Sequence, residues 1–438
     1  MGGPSRRARL ARAAALTLAA FAASTPAAQA GWGRSFEFEP PGTLDLSAPQ
    51  LAFSAAGAAA AGFAVQDVDT PGASQAYVTS RSAHGSVGTP RPIGSAEQIL
   101  GLSFDGPALE LLTGNSPSAL SCCSAAQVVR VTGGGALQRP RTLVSGLTGA
   151  TEGQLLTVGQ GMLAAVATER GVWAVQAARA NRFGAPHRLS GAGETPGSLS
   201  AAWLGGQNSV IAWTAARGLA GALDPRTIYY ADGSKTGGPR RAHTLLSVPS
   251  GDAIDEFEIA PRGSGATAAW VESWYDRRGN FHSQVEAADF GSHPGIRALS
   301  PADETASGLS IAADAAGDQA VSWKACDQTG SCTVDAVLRG SVGVFGADAR
   351  LGALDASQAP SAAVGAQGQA IVGWVRYGHP VASAGSTASH RFGSVQVLSS
   401  TIYAFDLTVG FGPGRDALAA WTQGTLNPSV VGAAYRAP

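Results

Sequence analysis

Charge is scarce in this chain. Only 14% of its 438 residues are charged, it has 2 methionines and 4 cysteines, and it has no long helix-forming run of Glu, Lys and Leu. Low charge beside 45% hydrophobic residues excludes a disordered chain and leaves ample material for a core. The missing helix formers argue against a helical array. Beyond residue 30 no apolar run is long enough to span a bilayer. Basic residues are not in excess, which disfavours nucleic acid and anionic membrane surfaces as partners. Reactive motifs are missing too. The seven histidines (His84, His187, His243, His282, His293, His379 and His390) show no metal-ligand spacing. There is no G-x-S-x-G elbow and no phosphate-binding glycine loop. Asp67 and Asp69 are a carboxylate pair without the rest of an EF-type calcium loop. No catalytic residue, metal or cofactor is expected.

Turn formers are abundant, with Gly 58 and Pro 24. The first 30 residues read as an export signal. Arg6, Arg7, Arg9 and Arg12 precede the apolar stretch Leu10 to Ala22, and Ala28-Gln29-Ala30 provides the small-x-small cleavage pattern. Arg6-Arg7 fits either a general or a twin-arginine signal. Loss of those four arginines would shift the net charge from −1 to about −5. The expected location is extracytoplasmic, where cysteines oxidise. Cys326 and Cys332 flank DQTGS between two strand-like runs, and this spacing predicts a disulfide. Adjacent Cys122 and Cys123 leave three states open: a vicinal disulfide, pairing with another chain, or free thiols.

The dominant feature is a repeat. SIAADAAGDQAVSW (Ser310–Trp323) reads as a strand, a glycine turn and a second strand ending on an aromatic. Related stretches include LAFSAAGAAAAGF (Leu51–Phe63), LSFDGPALELL (Leu102–Leu112), FEIAPRGSGATAAW (Phe257–Trp270), SAAVGAQGQAIVGW (Ser361–Trp374) and LTVGFGPGRDALAAW (Leu407–Trp421). Trp213, Trp270, Trp323, Trp374 and Trp421 end successive hairpins at intervals of 57, 53, 51 and 47 residues. Recurrence at one position of a repeat points to packing between units rather than to a ligand stack. A third strand follows each hairpin, as in TVDAVLR (Thr333–Arg339), and then a short fourth, as in FGADARLG (Phe345–Gly352).

Four short antiparallel strands per unit make one blade of a β-propeller. The chain resembles secreted bacterial β-propeller repeat proteins over nearly its whole length beyond residue 30. It lacks WD dipeptides, Asp-box turns and kelch signatures, so no named propeller family is implied. The expected fold is all-β, a single propeller over residues 31–438. Blades are placed at about 49–93, 96–144, 149–190, 197–248, 254–301, 306–353 and 357–400, with a partial one at 402–438. The last unit lacks a fourth strand, and SFEFEPPGTLDLS (Ser35–Ser47) precedes the first hairpin as an orphan strand. Pairing the two would close the ring and remove its exposed edge, giving eight blades. Seven is the alternative, because the second unit is irregular.

Two places are candidates for a site. Loops between second and third strands share a face with the links between blades, and variable loops on a rigid ring build binding surfaces. On that face Trp274, Tyr275, Asp276, Arg277, Arg278, Phe281 and His282 form the densest cluster, with Arg376, Tyr377 and His379 a smaller version inside a loop assigned to Arg376–His390. The same aromatics could instead fold against a neighbouring blade. The other place is the axial channel, whose mouth would carry Gln50, Gln98, Gln154, Glu256, Glu258, Gln358 and Asp406. The reading that follows is an exported, non-catalytic binding or scaffolding propeller for a protein or glycan partner. The alternative is an extracellular polysaccharide hydrolase or lyase using paired channel carboxylates.

Overall fold

A computed structural model describes residues 31–436 apart from 34, 39–44, 67–73, 95, 115–123, 148–149, 160, 179–181, 207, 218–224, 235–237, 240–241, 292–294, 414–415 and 425–428. The first 30 residues, expected to be an export signal, and the Cys122–Cys123 pair lie outside the described residues, as do Asp67 and Asp69. Alternating sequences form antiparallel strands, and these assemble into eight separate sheets, seven built from consecutive strands and the eighth from the last three strands together with the N-terminal ones. The fold is an eight-bladed β-propeller. The irregular second unit is a full blade of four strands, Gln98–Asp105, Ala108–Gly114, Ser124–Val131 and Arg141–Leu147, so the seven-blade alternative fails.

The ring is closed by its ends. Phe36–Phe38 pairs with Ser429–Arg436, setting Phe36 opposite Gly432 and Phe38 opposite Val430. Gly31–Trp32 pairs with the far end of the same strand. The expected orphan strand is divided, because Asp45–Leu46 pairs instead with Ala59–Gln66 of blade 1.

The tryptophans occupy one structural layer. Trp213, Trp270, Trp323, Trp374 and Trp421 are all fully buried on the second strands of blades 4 to 8. Each belongs to a cluster shared with the preceding blade: Trp323 packs with Ala269, Val271 and Val285 of blade 5, and Trp374 with Val334, Ala336 and Leu338 of blade 6. In blades 1 to 3 Phe63, Leu111 and Val166 fill comparable shared clusters. Any large apolar side chain can bury this interface, so the tryptophan signature fades where the packing persists. Inner strands approach so closely that a Cβ on Gly101 of blade 2 would lie 2.8 Å from the Leu155 nitrogen of blade 3.

Adjacent Tyr229 and Tyr230 divide as strand pleating requires. Tyr229 stacks on Trp213 towards blade 3, while Tyr230 packs towards blade 5. Cys326 and Cys332 are bonded, with S–S 2.07 Å, across the end of one hairpin. The long loop expected at Arg376–His390 is not one. Arg376 and His379 face each other across a two-residue turn, and His379–Ser386 is the third strand of blade 7.

Candidate functional site

First strands begin at the loop-rich end of the axis, and their opening residues enclose a cavity of about 440 Å³. Gln50, Gln98, Gln154, Glu256 and Glu258 all line it. Asp406 and Gln358 do not, and Asp406 is exposed on the first strand of blade 8. Glu152, Ser198 and Ser200 line it as well and were missed from sequence. Glu152 carried a usable signal, since it lies two residues before Gln154 on the same strand face.

The carboxylates are committed to backbone. An innermost strand is a sheet edge, so part of its N–H groups have no ladder partner and require another acceptor. Here the preceding blade supplies it. Glu256 accepts from the N–H groups of Gly308 (2.8 Å) and Leu309 (2.5 Å), one on each carboxylate oxygen. Glu258 accepts from Ile311 at 2.8 Å, and Glu152 from Leu199 at 2.5 Å. Gln358 accepts from Asp406, Ser310 from Ala362 and Ser361 from Val409 at 2.8, 3.1 and 3.2 Å. Gln50 donates to the Ile99 carbonyl at 2.9 Å. These bonds span about one blade in sequence and lace the ring together around its axis.

Confinement alters their acidity. Burial pushes Glu258 up to about 7, with the Ile311 N–H opposing and the charges of Glu256 and Glu152 adding. Burial likewise raises Glu152 against the Leu199 N–H, and raises Asp406. A carboxyl whose folded pKa lies above its unfolded one costs nothing below about 4.5, where both states are protonated. The cost is complete once pH exceeds about 7. Glu258→Gln keeps an acceptor for Ile311, so it should stabilise the protein by about 2 kcal/mol at pH 8 and hardly at pH 4.5. Urea unfolding of parent and variant at both pH values checks this, and an equal difference at the two would refute it.

At the same end of the ring lies the tip of the blade 5 hairpin. Gly265–Tyr275 and Phe281–Asp289 extend to a turn at 276–280. Trp274 stacks on His282 with centroids 5.6 Å apart, and Tyr275 meets Phe281 edge-on at 5.5 Å. The aromatics therefore pair across their own hairpin, which is where aromatic cross-strand pairs contribute. Tyr275 remains 68% and Phe281 46% exposed, with Arg277 and Arg278 exposed at the tip. His282 also approaches the Ala302 carbonyl at 3.3 Å and Asp276 at 3.5 Å. Asp276 is occupied by the turn. It accepts from the N–H groups of Arg278 and Asn280, and the Asn280 contacts hold its carboxyl down at about 2. Asp314 and Asp327 cap their turns in the same way. The shared D-x-x-G spacing is turn chemistry, so Asp276, expected among the binding residues, serves its own turn.

Tyr377, in the blade 7 turn, is 75% exposed and lines a separate cleft of about 300 Å³ with Tyr403 and Ile402 of the link into blade 8. Arg376 and His379 flank the turn without lining the cleft.

No known family matches the chain, and no curated protein does. Solved structures resemble it in shape. The Dos1 propeller is similar with a TM-score of 0.53 at 11% identity, covering 92% of this chain and 95% of that one. A polysaccharide lyase of a family described as PL25, an ulvan lyase bound to its saccharide, has TM-score 0.48 at 10% identity over 91% and 95%. An α-L-arabinanase of Penicillium chrysogenum has 0.42 at 10% identity over 91% and 98%. These likenesses concern the propeller fold alone.

Proposed function

We propose that this chain is an exported, non-catalytic propeller that binds a protein or glycan partner through its loop-rich face. The observation carrying the reading is the blade 5 hairpin, which holds Tyr275 and Phe281 out in solvent beside Arg277 and Arg278. Exposed aromatics with arginines are the composition of binding hot spots. The commitment of Glu256 to two backbone N–H groups supports the same conclusion from the other side, because it leaves the channel carboxylates bracing the ring. Purified chain should bind wall polysaccharide or secreted-protein fractions, with Tyr275→Ala plus Phe281→Ala weakening that binding roughly tenfold or more. Absence of binding to either fraction, or unchanged binding by the double variant, would remove the reading.

One observation favours a second reading, an extracellular polysaccharide hydrolase or lyase. Glu258, pushed up to about 7 beside Glu256 and Glu152, has the acidity of a general acid working near neutrality. A polysaccharide turnover screen decides the matter. Turnover lost in both Glu258→Gln and Glu256→Gln would establish the enzyme, and no turnover on any polysaccharide tested would retire it.

A further inference from the structure

Five non-glycine residues among those described have left-handed φ, and three of them converge on the cleft between blades 7 and 8. Tyr377 has φ 53° and Tyr403 φ 68°, and both line it. Asp406, φ 52°, directly follows the lining residue Phe405. Left-handed backbone favours Gly or Asn, and a bulky residue held there is strained. The two-residue turn at Tyr377-Gly378 is one where Asn-Gly is the relaxed choice. Such strain persists only where its surroundings impose it, and it concentrates at ligand sites.

The surroundings do impose it. The Asp355 carboxylate accepts from the N–H groups of Tyr377 (2.7 Å) and Gly378 (2.8 Å). The Gly378 carbonyl takes the Ala404 N–H, and the Tyr403 carbonyl takes that of Gly424, both at 2.9 Å. A Cβ on Gly378 would stand 3.1 Å from the Tyr403 nitrogen, so the turn and the link are in close contact. Blade links and a hairpin turn thus form a preorganised concavity with tyrosines at its rim, 75% and 53% exposed.

We propose that this cleft binds a neutral pyranose ring. A volume near 300 Å³ suits one or two sugar units rather than a peptide strand or a helix. Tyr377, Tyr403, Ile402 and Phe405 offer apolar walls for the C–H face of a sugar, while Ser357, Gln358 and Asp355 offer polar partners for its hydroxyls. Asp355 is the only charged residue in the lining. Each of its oxygens, having taken one N–H, has a lone pair left to accept from a hydroxyl, and its negative charge excludes carboxylated or sulfated sugars. The proposal rests on the loop-rich face being a binding face, but on residues separate from the blade 5 hairpin.

The test is calorimetric titration of the purified chain with methyl glucoside, methyl galactoside, methyl mannoside and cellobiose, using glucuronate and cyclohexanol as controls. Saturable binding of at least one neutral saccharide is expected, with neither control binding. Tyr403→Ala should weaken it at least tenfold and Tyr403→Phe by less than threefold. Tyr377→Gly is the sharper variant. It relieves the strained φ, so it should raise Tm while weakening saccharide binding at least tenfold, which a merely structural tyrosine would not do. The assignment is overturned if no neutral saccharide binds, if cyclohexanol binds equally well, or if Tyr403→Ala and Tyr377→Gly bind like the parent. It is also overturned, with the face reading left standing, if saccharide binding disappears in Tyr275→Ala and survives in Tyr403→Ala.

Discussion

Trp374→Ala is expected to cost about 3–5 kcal/mol of stability, the loss usual for deleting a fully buried tryptophan. Trp374 is 0% exposed on the second strand of blade 7, and its indole N–H donates to the Ala353 carbonyl of blade 6 at 3.0 Å. Its ring fills the cluster that joins the two blades. Removing it opens a cavity in the interface as well as forfeiting burial, and neighbouring β-sheets cannot shift inward to fill it without disturbing the blades on either side. Trp203 is the control. It is 41% exposed, and Trp203→Ala should stay within about 0.5 kcal/mol of the parent. Urea unfolding measures both. Equal effects of the two substitutions would show that the recurring tryptophans are not the interblade packing layer.

Asp289→Ala should cost about 1–2 kcal/mol, because it removes the carboxylate partner of a buried cation, although Asp289 is 45% exposed and Arg339 keeps bonds to the Gly343 carbonyl and Gln319. The Arg339 side chain is 7% exposed and makes two bonds to Asp289, at 2.9 and 2.7 Å. Asp289 also receives Arg262 at 2.8 Å and the Thr267 hydroxyl at 2.6 Å. The network ties blade 5 to blade 6 on the face opposite the long loops, with Arg339 also stacked over the Phe345 ring at 4.9 Å. An ion pair of this kind contributes less than its breakage costs, since desolvation offsets most of the attraction. Asp289→Ala combined with Arg339→Met should therefore recover most of the loss. A double variant as unstable as Asp289→Ala alone would contradict the argument.

The closing strand shows how far local pattern reaches. SFEFEPPGTLDLS alternates like a strand, and Phe36–Phe38 does complete blade 8. Its other half, Asp45–Leu46, joins blade 1 instead. Alternation shows that a segment can pair but not with which edge, since a strand carries no label for its partner. Likewise RYGHPVASAGSTASH read as a loop because a Tyr-Gly turn does not look like a hairpin turn. The tyrosine there is held in a conformation its own backbone disfavours.

Sequence alone determined most of the strands, the glycine turns, the blade period and the disulfide between Cys326 and Cys332, because each depends on residues close together in the chain. Tertiary structure decided what the polar residues do. Sequence offered Glu256 only as a channel-mouth carboxylate, and the fold sets the N–H groups of Gly308 and Leu309, some fifty residues on, against its oxygens. Tyr377 and Tyr403 belong to different elements, and only the packing of blade 8 against blade 7 makes them two rims of one cleft. A repeat specifies its own unit through local periodicity, whereas the channel and the blade 7–8 cleft lie between units, where the partner is a blade away in sequence.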